Sequence, residues 1–177
     1  MLKICGIIVL FCGLVLGQDD EKFTYAEQSV LRWEDFKATP DESSSYQASS
    51  NTGMGYSWSY NTYGGSLNLK YEVKSHFYPN LSWVKKGADA TLLQHEQIHF
   101  DISELHARML RKTMSEYAIR RNIRRDLKLI YEKAEAERRA MQKAYDLETN
   151  HSIDTVAQKQ WGMKVQKLLE AHEAFAN

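Results

Sequence analysis

Residues 54–77, MGYSWSYNTYGGSLNLKYEVKSHF, decide the fold class. Met54, Tyr56, Trp58 and Tyr60 alternate with Gly55, Ser57, Ser59 and Asn61. Leu67, Leu69, Tyr71, Val73 and Phe77 alternate with Asn68, Lys70, Glu72, Lys74 and His76. A period of two, rich in aromatic and branched side chains, predicts two half-buried strands, 54–62 and 66–77. Gly64-Gly65 between them suits the positive φ of a tight hairpin. Upstream, Ser29 to Lys37 carries Leu31, Trp33 and Phe36 and reads as a strand running into a short turn. Thr39 to Ser45 is polar and reads as a loop.

Downstream the character changes. No glycine or proline occurs from Ala88 until Gly162, and Ala, Leu, Glu, Lys, Arg and Gln dominate. One straight helix of that length does not suit a small domain, so the run divides near Arg121-Asn122 into helices 88–120 and 123–146. A polar break, Leu147 to Ile153, follows, and Asp154 is placed to cap a last helix reaching about Ala174. Strands first and helices after imply an α+β domain, with an antiparallel hairpin packed on C-terminal helices. The run RRNIRR at 120–125 reads as a solvated helix face.

With 177 residues the chain suits one domain, and 43% hydrophobic residues suffice for a packed core. Twenty-three basic residues balance 23 acidic ones, so nothing in the overall charge favours nucleic acid. Residues 1–17 place one lysine, Lys3, before an apolar run that ends at a small residue, Gly17. That layout is expected of a cleaved signal peptide, which would leave residues 18–177 outside the cytoplasm, periplasmic or extracellular, with no lasting membrane anchor. Both cysteines, Cys5 and Cys12, lie in that segment. The remaining chain then has no disulfide and no thiolate ligand, and any metal would be held by His and carboxylates.

His95-Glu96-Gln97-Ile98-His99 matches H-E-x-x-H. On a helix, residues four apart lie about 40° apart on one face and about 6 Å along the axis, so His95 and His99 can aim two imidazoles at one zinc ion. Glu96 is rotated about 100° from His95, which suits a base taking a proton from water beside the ion. Leu92, Leu93, Ile98, Ile102, Leu105 and Met109 give the same helix an apolar stripe.

Zinc normally needs a third protein ligand. His106 shares the helix face but lies seven residues past His99, about 10 Å along a regular helix. Glu104 and Glu116 face elsewhere or lie too far along. His151, in the break after the second long helix, is the favoured third ligand, with Asp146 and Glu148 in reserve. His76 and His172 are weaker candidates. Tyr145 could steady an oxyanion but reads more readily as core. Asp101 is rotated away from the histidines, which favours a salt bridge or cap over a role at the metal.

LLQHEQIHFDISELHARML at 92–110 resembles the signature of a bacterial family described as secreted zinc-dependent proteases, the domain of unknown function 922. LRWEDFKA at 31–38, LSWVKK at 81–86 and YDLETNHSIDTVAQKQW at 145–161 fit it too. The resemblance implies an exported, metal-dependent hydrolase with His95, Glu96 and His99 at its site. The family's later motif is Thr-x-His-Gly, and Thr149-Asn150-His151-Ser152 departs from it at the last position.

The expectation is therefore a zincin-like metallopeptidase spanning 18–177. Zn²⁺ would be held by His95, His99 and His151, Glu96 would act as general base, and the substrate would be a peptide or protein. Strands 54–62 and 66–77 would lie beside the motif helix, and an edge strand above the metal would take up an extended peptide. The rival expectation is a non-catalytic envelope protein with a structural or vestigial metal site and a helical interaction surface. A third is a hydrolase of non-peptide amides, which needs the same chemistry.

Overall fold

The computed structural model describes residues 21–63 and 66–177. The signal-peptide expectation for residues 1–17 and the turn expected at Gly64-Gly65 lie outside them. In chain order the elements are β1 (Phe23–Thr24), β2 (Ala48–Ser49), β3 (Thr52–Tyr63), β4 (Ser66–Phe77), β5 (Trp83–Val84), α1 (Ala90–Ser115), α2 (Ile123–Glu148) and α3 (Thr155–Ala171). The fold is α+β. Strands β1, β4 and β3 form one antiparallel sheet in that order, and β2 pairs antiparallel with β5.

The alternation in residues 54–77 becomes a sheet face. In the β3–β4 register Tyr56 opposes Val73, Trp58 opposes Tyr71 and Tyr60 opposes Leu69. Met54 and Val73 are buried, and Tyr56, Trp58, Leu69 and Tyr71 pack around them against Ala107, Leu110 and Met114 of α1 and Leu127 of α2. The hairpin thus packs beside the motif helix, as expected, with its aromatic face on the C-terminal half of α1 and Phe77 at its base against Phe100.

Helix α1 is the spine of the molecule, enclosed by the sheet, α2 and α3. Its first turn is capped by Asp89, whose side chain accepts from the Leu92 N–H at 2.9 Å. It stops at Ser115, five residues short of the expected end. Tyr117 and Ile119 turn into the hydrophobic core there, and the Tyr117 hydroxyl donates to Asp126 at 2.8 Å, tying the turn to α2. Tertiary burial ends this helix where no glycine or proline announces it.

Helix α2 begins at the expected Ile123 but continues two residues past Asp146. Asp154 caps α3 as expected, accepting from the Ala157 N–H at 2.9 Å, and a short 3-10 turn at Glu173–Phe175 follows. Ile98, Ile102 and Leu105 of α1, Tyr145 of α2, and Trp161, Val165 and Leu169 of α3 form the second core cluster. The arginines of 120–125 are exposed, as a solvated face requires.

The segment Ser29 to Lys37 contains no strand, contrary to expectation; it folds into a 3-10 turn at Trp33–Asp35. Its backbone is satisfied by a side chain instead of a sheet partner. Gln97 on α1 accepts the Leu31 N–H at 2.7 Å and donates to the Ser29 carbonyl at 2.9 Å. Among the described residues no helix is long and apolar enough to cross a membrane.

Candidate metal centre

Helices α1 and α2 run antiparallel, and their facing residues pair in steps of four. His95 and His99 meet Asp146, His99 meets Gln142, and Ser103 meets Arg138. Four residues on each helix is just over one turn, so both sets stay on one face. This double ladder carries a carboxylate from the end of α2 onto the two motif histidines.

The result is a compact trio. Asp146 Oδ1 lies 2.9 Å from His99 Nε2 and 3.2 Å from His95 Nε2, and the two Nε2 atoms are 3.2 Å apart. Ligand atoms bound tetrahedrally at the usual zinc distances lie about 3.3 Å from one another. The spacing of the trio therefore fits a small divalent ion, and two imidazoles with one carboxylate are a donor set suited to zinc.

Neighbouring groups hold the trio. Gln142 engages His99 twice: its carbonyl meets ring Nδ1, and its amide nitrogen donates to the His99 backbone carbonyl at 2.8 Å. With Nδ1 directed at Gln142, Nε2 is the ring nitrogen left to face Asp146, or an ion bound between them. His95 is instead clamped by stacking on Tyr145, with ring centroids 4.6 Å apart. Burial opposes charge on Asp146, but hydrogen bonds from His95 and His99 outweigh it and hold the carboxyl well below the usual carboxylate range. Burial likewise opposes charge on His99, and the Asp146 hydrogen bond and the Glu96 charge outweigh that and raise it.

Glu96 is 4% exposed and lines the same cleft. Its Oε2 accepts the Ser50 backbone N–H at 3.0 Å, just past β2. The backbone that reaches the motif glutamate is therefore this short segment, while the long hairpin packs farther along the same helix. A β2–β5 pair of two residues each was too brief to leave an alternating signature.

His151 is also brought to this place, with Nδ1 3.8 Å from Asp146 Oδ1, but the tight trio takes its third donor atom from Asp146. The backbone that presents His151 is unusual. Asn150, His151 and Ser152 have φ of 47°, 51° and 76°, three successive non-glycine residues in the left-handed region. The turn is held by the His151 N–H donating to the Asp146 carbonyl at 2.9 Å and the Asp154 N–H donating to the Thr149 carbonyl at 2.8 Å. The ring of Tyr46 packs on His151, with centroids 4.8 Å apart.

Other candidates are engaged elsewhere. Glu148 accepts from the Trp161 indole at 2.8 Å. Glu104 is buried in ion pairs with Arg108 and Arg111, both at 3.0 Å, and accepts from Ser75 at 2.6 Å. Asp101 is pushed up to about 6 by burial and accepts from Tyr25 and Gln97, so it is neither salt bridge nor cap. Tyr145 is fully buried in the core, and burial foremost raises its hydroxyl pKa. His106 is buried, with no hydrogen-bond partner for either ring nitrogen among the described residues. Gln142 was missed in the sequence; a glutamine four residues before the ligand helix's carboxylate carries no signal until the helices are paired.

A model of a family described as a bacterial protein of unknown function, DUF922, matches residues 31–152. The chain belongs to the DUF922 family. The span matched by DUF922 runs from the segment gripped by Gln97 to the left-handed turn, so it includes β2, the HEQIH motif, Asp146 and His151 and leaves out α3. No curated protein and no solved structure matches the chain.

Proposed function

We propose that this DUF922 protein is a zinc-dependent peptidase acting outside the cytoplasm, with a zincin-like site. The observation that carries the reading is the convergence of His95 Nε2, His99 Nε2 and Asp146 Oδ1 to within 2.9–3.2 Å beside a buried glutamate. These three residues would hold the ion, with His151 at the rim. Zinc bound there supplies Lewis acidity to water and to a scissile carbonyl. Glu96, steadied by the Ser50 N–H on Oε2, has Oε1 left to take a proton from water and to return it to the departing amine. Tyr145 stacks behind His95 and keeps its ring from swinging away. Action outside the cytoplasm is supported by the sequence of residues 1–17 and the absence of cysteine after Cys12.

Elemental analysis of the purified chain should find about one zinc per molecule, lost when His95 and His99 are both replaced by Ala. Glu96→Gln should keep the metal and lose hydrolysis of a peptide panel. Equal turnover by the Gln variant, or metal content indifferent to the two histidines, would sink the reading.

One observation favours the non-catalytic alternative. His151 stands 3.8 Å from Asp146, and a fourth protein ligand would close the coordination shell as structural zinc sites do. X-ray absorption on the zinc-loaded protein separates the two: three imidazoles with one carboxylate indicate a closed site, two imidazoles with one carboxylate and exchangeable solvent an open one.

A further inference from the structure

The metal trio lies in a cleft of about 950 Å³ whose walls differ in chemistry from end to end. Its floor is α1. One wall is the segment from Tyr46 to Thr52, the other the last turns of α2. Contacts fix their relative direction: Tyr46 packs on His151, Ser50 reaches Glu96, and Thr52 accepts from Ser103, which in turn meets Arg138. The two walls therefore run antiparallel, and the cleft is a trough along α2.

The segment 45–52 brings no charged side chain to the trough. Apart from Glu96 and Asp146, the charges lining it are the cations Arg138, Arg139 and Lys143 of α2. Glu135 outside the lining pairs with both Arg138 and Arg139, at 2.7 and 3.2 Å, so one carboxylate offsets two of the three. A divalent ion would neutralise the charge of Glu96 and Asp146 and leave this wall the dominant field. At the opposite end stand exposed apolar groups: Leu147 is 66% and Ile153 74% exposed, beside Tyr46 at 48%.

We infer that the trough selects peptides carrying an apolar residue close to the reacting bond and an acidic residue a short distance along on the Arg139–Lys143 side; this rests on the peptidase reading above. The distances suit such a ligand. Lys143 and Arg139 lie about 4.5 and 10.5 Å along the helix axis from Asp146, at about 1.5 Å per residue. An extended peptide advances about 3.3 Å per residue, so the acidic group falls one to three residues from the bond. The apolar residue would cover Leu147, Ile153 and Tyr46, whose exposure to water is otherwise unfavourable.

The test uses zinc-loaded Glu96→Gln protein and fluorescein-labelled decapeptides read by anisotropy. Each peptide has one central Leu and, two residues before or after it, Glu or its isostere Gln. The better Glu peptide should bind about fivefold or more tightly than its Gln counterpart at low salt, with the gap closing near 1 M salt. Arg139→Gln with Lys143→Gln, both on exposed positions, should erase the gap. Equal affinities, no binding of either peptide, or a preference that survives the double substitution would overturn the inference. Cleavage by the native protein reports separately on the peptidase reading. Equal cleavage of Glu and Gln peptides leaves that reading standing and overturns the preference. Selective binding without any cleavage supports the preference and removes the peptidase.

Discussion

Gln142 holds His99 at two points, its carbonyl on ring Nδ1 and its amide nitrogen on the backbone carbonyl at 2.8 Å. A single side chain on α2 thus sets both the tautomer of a proposed ligand and the position of its backbone. Gln142→Leu should lower zinc affinity by about 10–100-fold, the usual effect of removing such a partner, while one equivalent still binds at saturation. Competition against a chromophoric chelator measures this, and unchanged affinity would show that His99 needs no such support.

The identity of the third ligand separates two residues five apart. Asp146→Ala should abolish tight zinc binding, because its Oδ1 completes the trio with the two Nε2 atoms. His151→Ala should retain about one zinc with an affinity change of less than about tenfold. The opposite pattern in a metal titration would make His151 the ligand and Asp146 its partner.

Ser152 has φ of 76°, a conformation that glycine adopts without a steric penalty and a β-branched residue strongly resists. Ser152→Gly should be neutral or stabilising by up to about 1 kcal/mol, the strain relief being partly offset by the freer unfolded chain. Ser152→Val should destabilise by about 1–2 kcal/mol or more. Denaturant unfolding of both variants in excess chelator provides the comparison, and a Val variant as stable as the native chain would contradict the strained turn.

His106 is pushed down to about 4 by burial, with Glu135, Glu137 and Arg138 as its charged neighbours. Unfolded, it would titrate near its ordinary 6.5, so between pH 6.5 and 4 the unfolded chain binds the extra proton. Its contribution to stability is intact above that window and is lost as pH falls through it, by about 3 kcal/mol in total. His106→Leu should flatten this part of the pH–stability curve relative to the native chain, as urea unfolding at stepped pH would reveal. Parallel curves would mean that His106 is solvated in the folded state.

Much of this was legible beforehand because it depends on local periodicity. Alternation in residues 54–77 marked the hairpin, and the Asp154 cap marked the start of α3. The four-residue spacing of His95 and His99 placed both on one helix face whatever surrounded them. Ser29 to Lys37 misled because its strand-like composition is satisfied by Gln97, a residue 66 positions from Leu31. The β2 segment left no trace because two residues cannot show a period.

The amino-acid sequence by itself determined the helix that carries HEQIH, the two histidines aimed from one face and the glutamate beside them, since rotation per residue is a property of the backbone alone. It also offered Asp146, Glu148 and His151 as candidates for the third ligand, but not which of them sets a donor atom against both histidines. That was decided by the antiparallel register of α1 and α2, in which Ser103 meets Arg138, His99 meets Gln142 and His95 meets Asp146. The register depends on where α1 ends, and α1 ends where Tyr117 and Ile119 find the core. A shift of one residue turns a helix face by about 100°, so only packing across the whole length of both helices could put Asp146 on the histidines and turn Glu148 to Trp161.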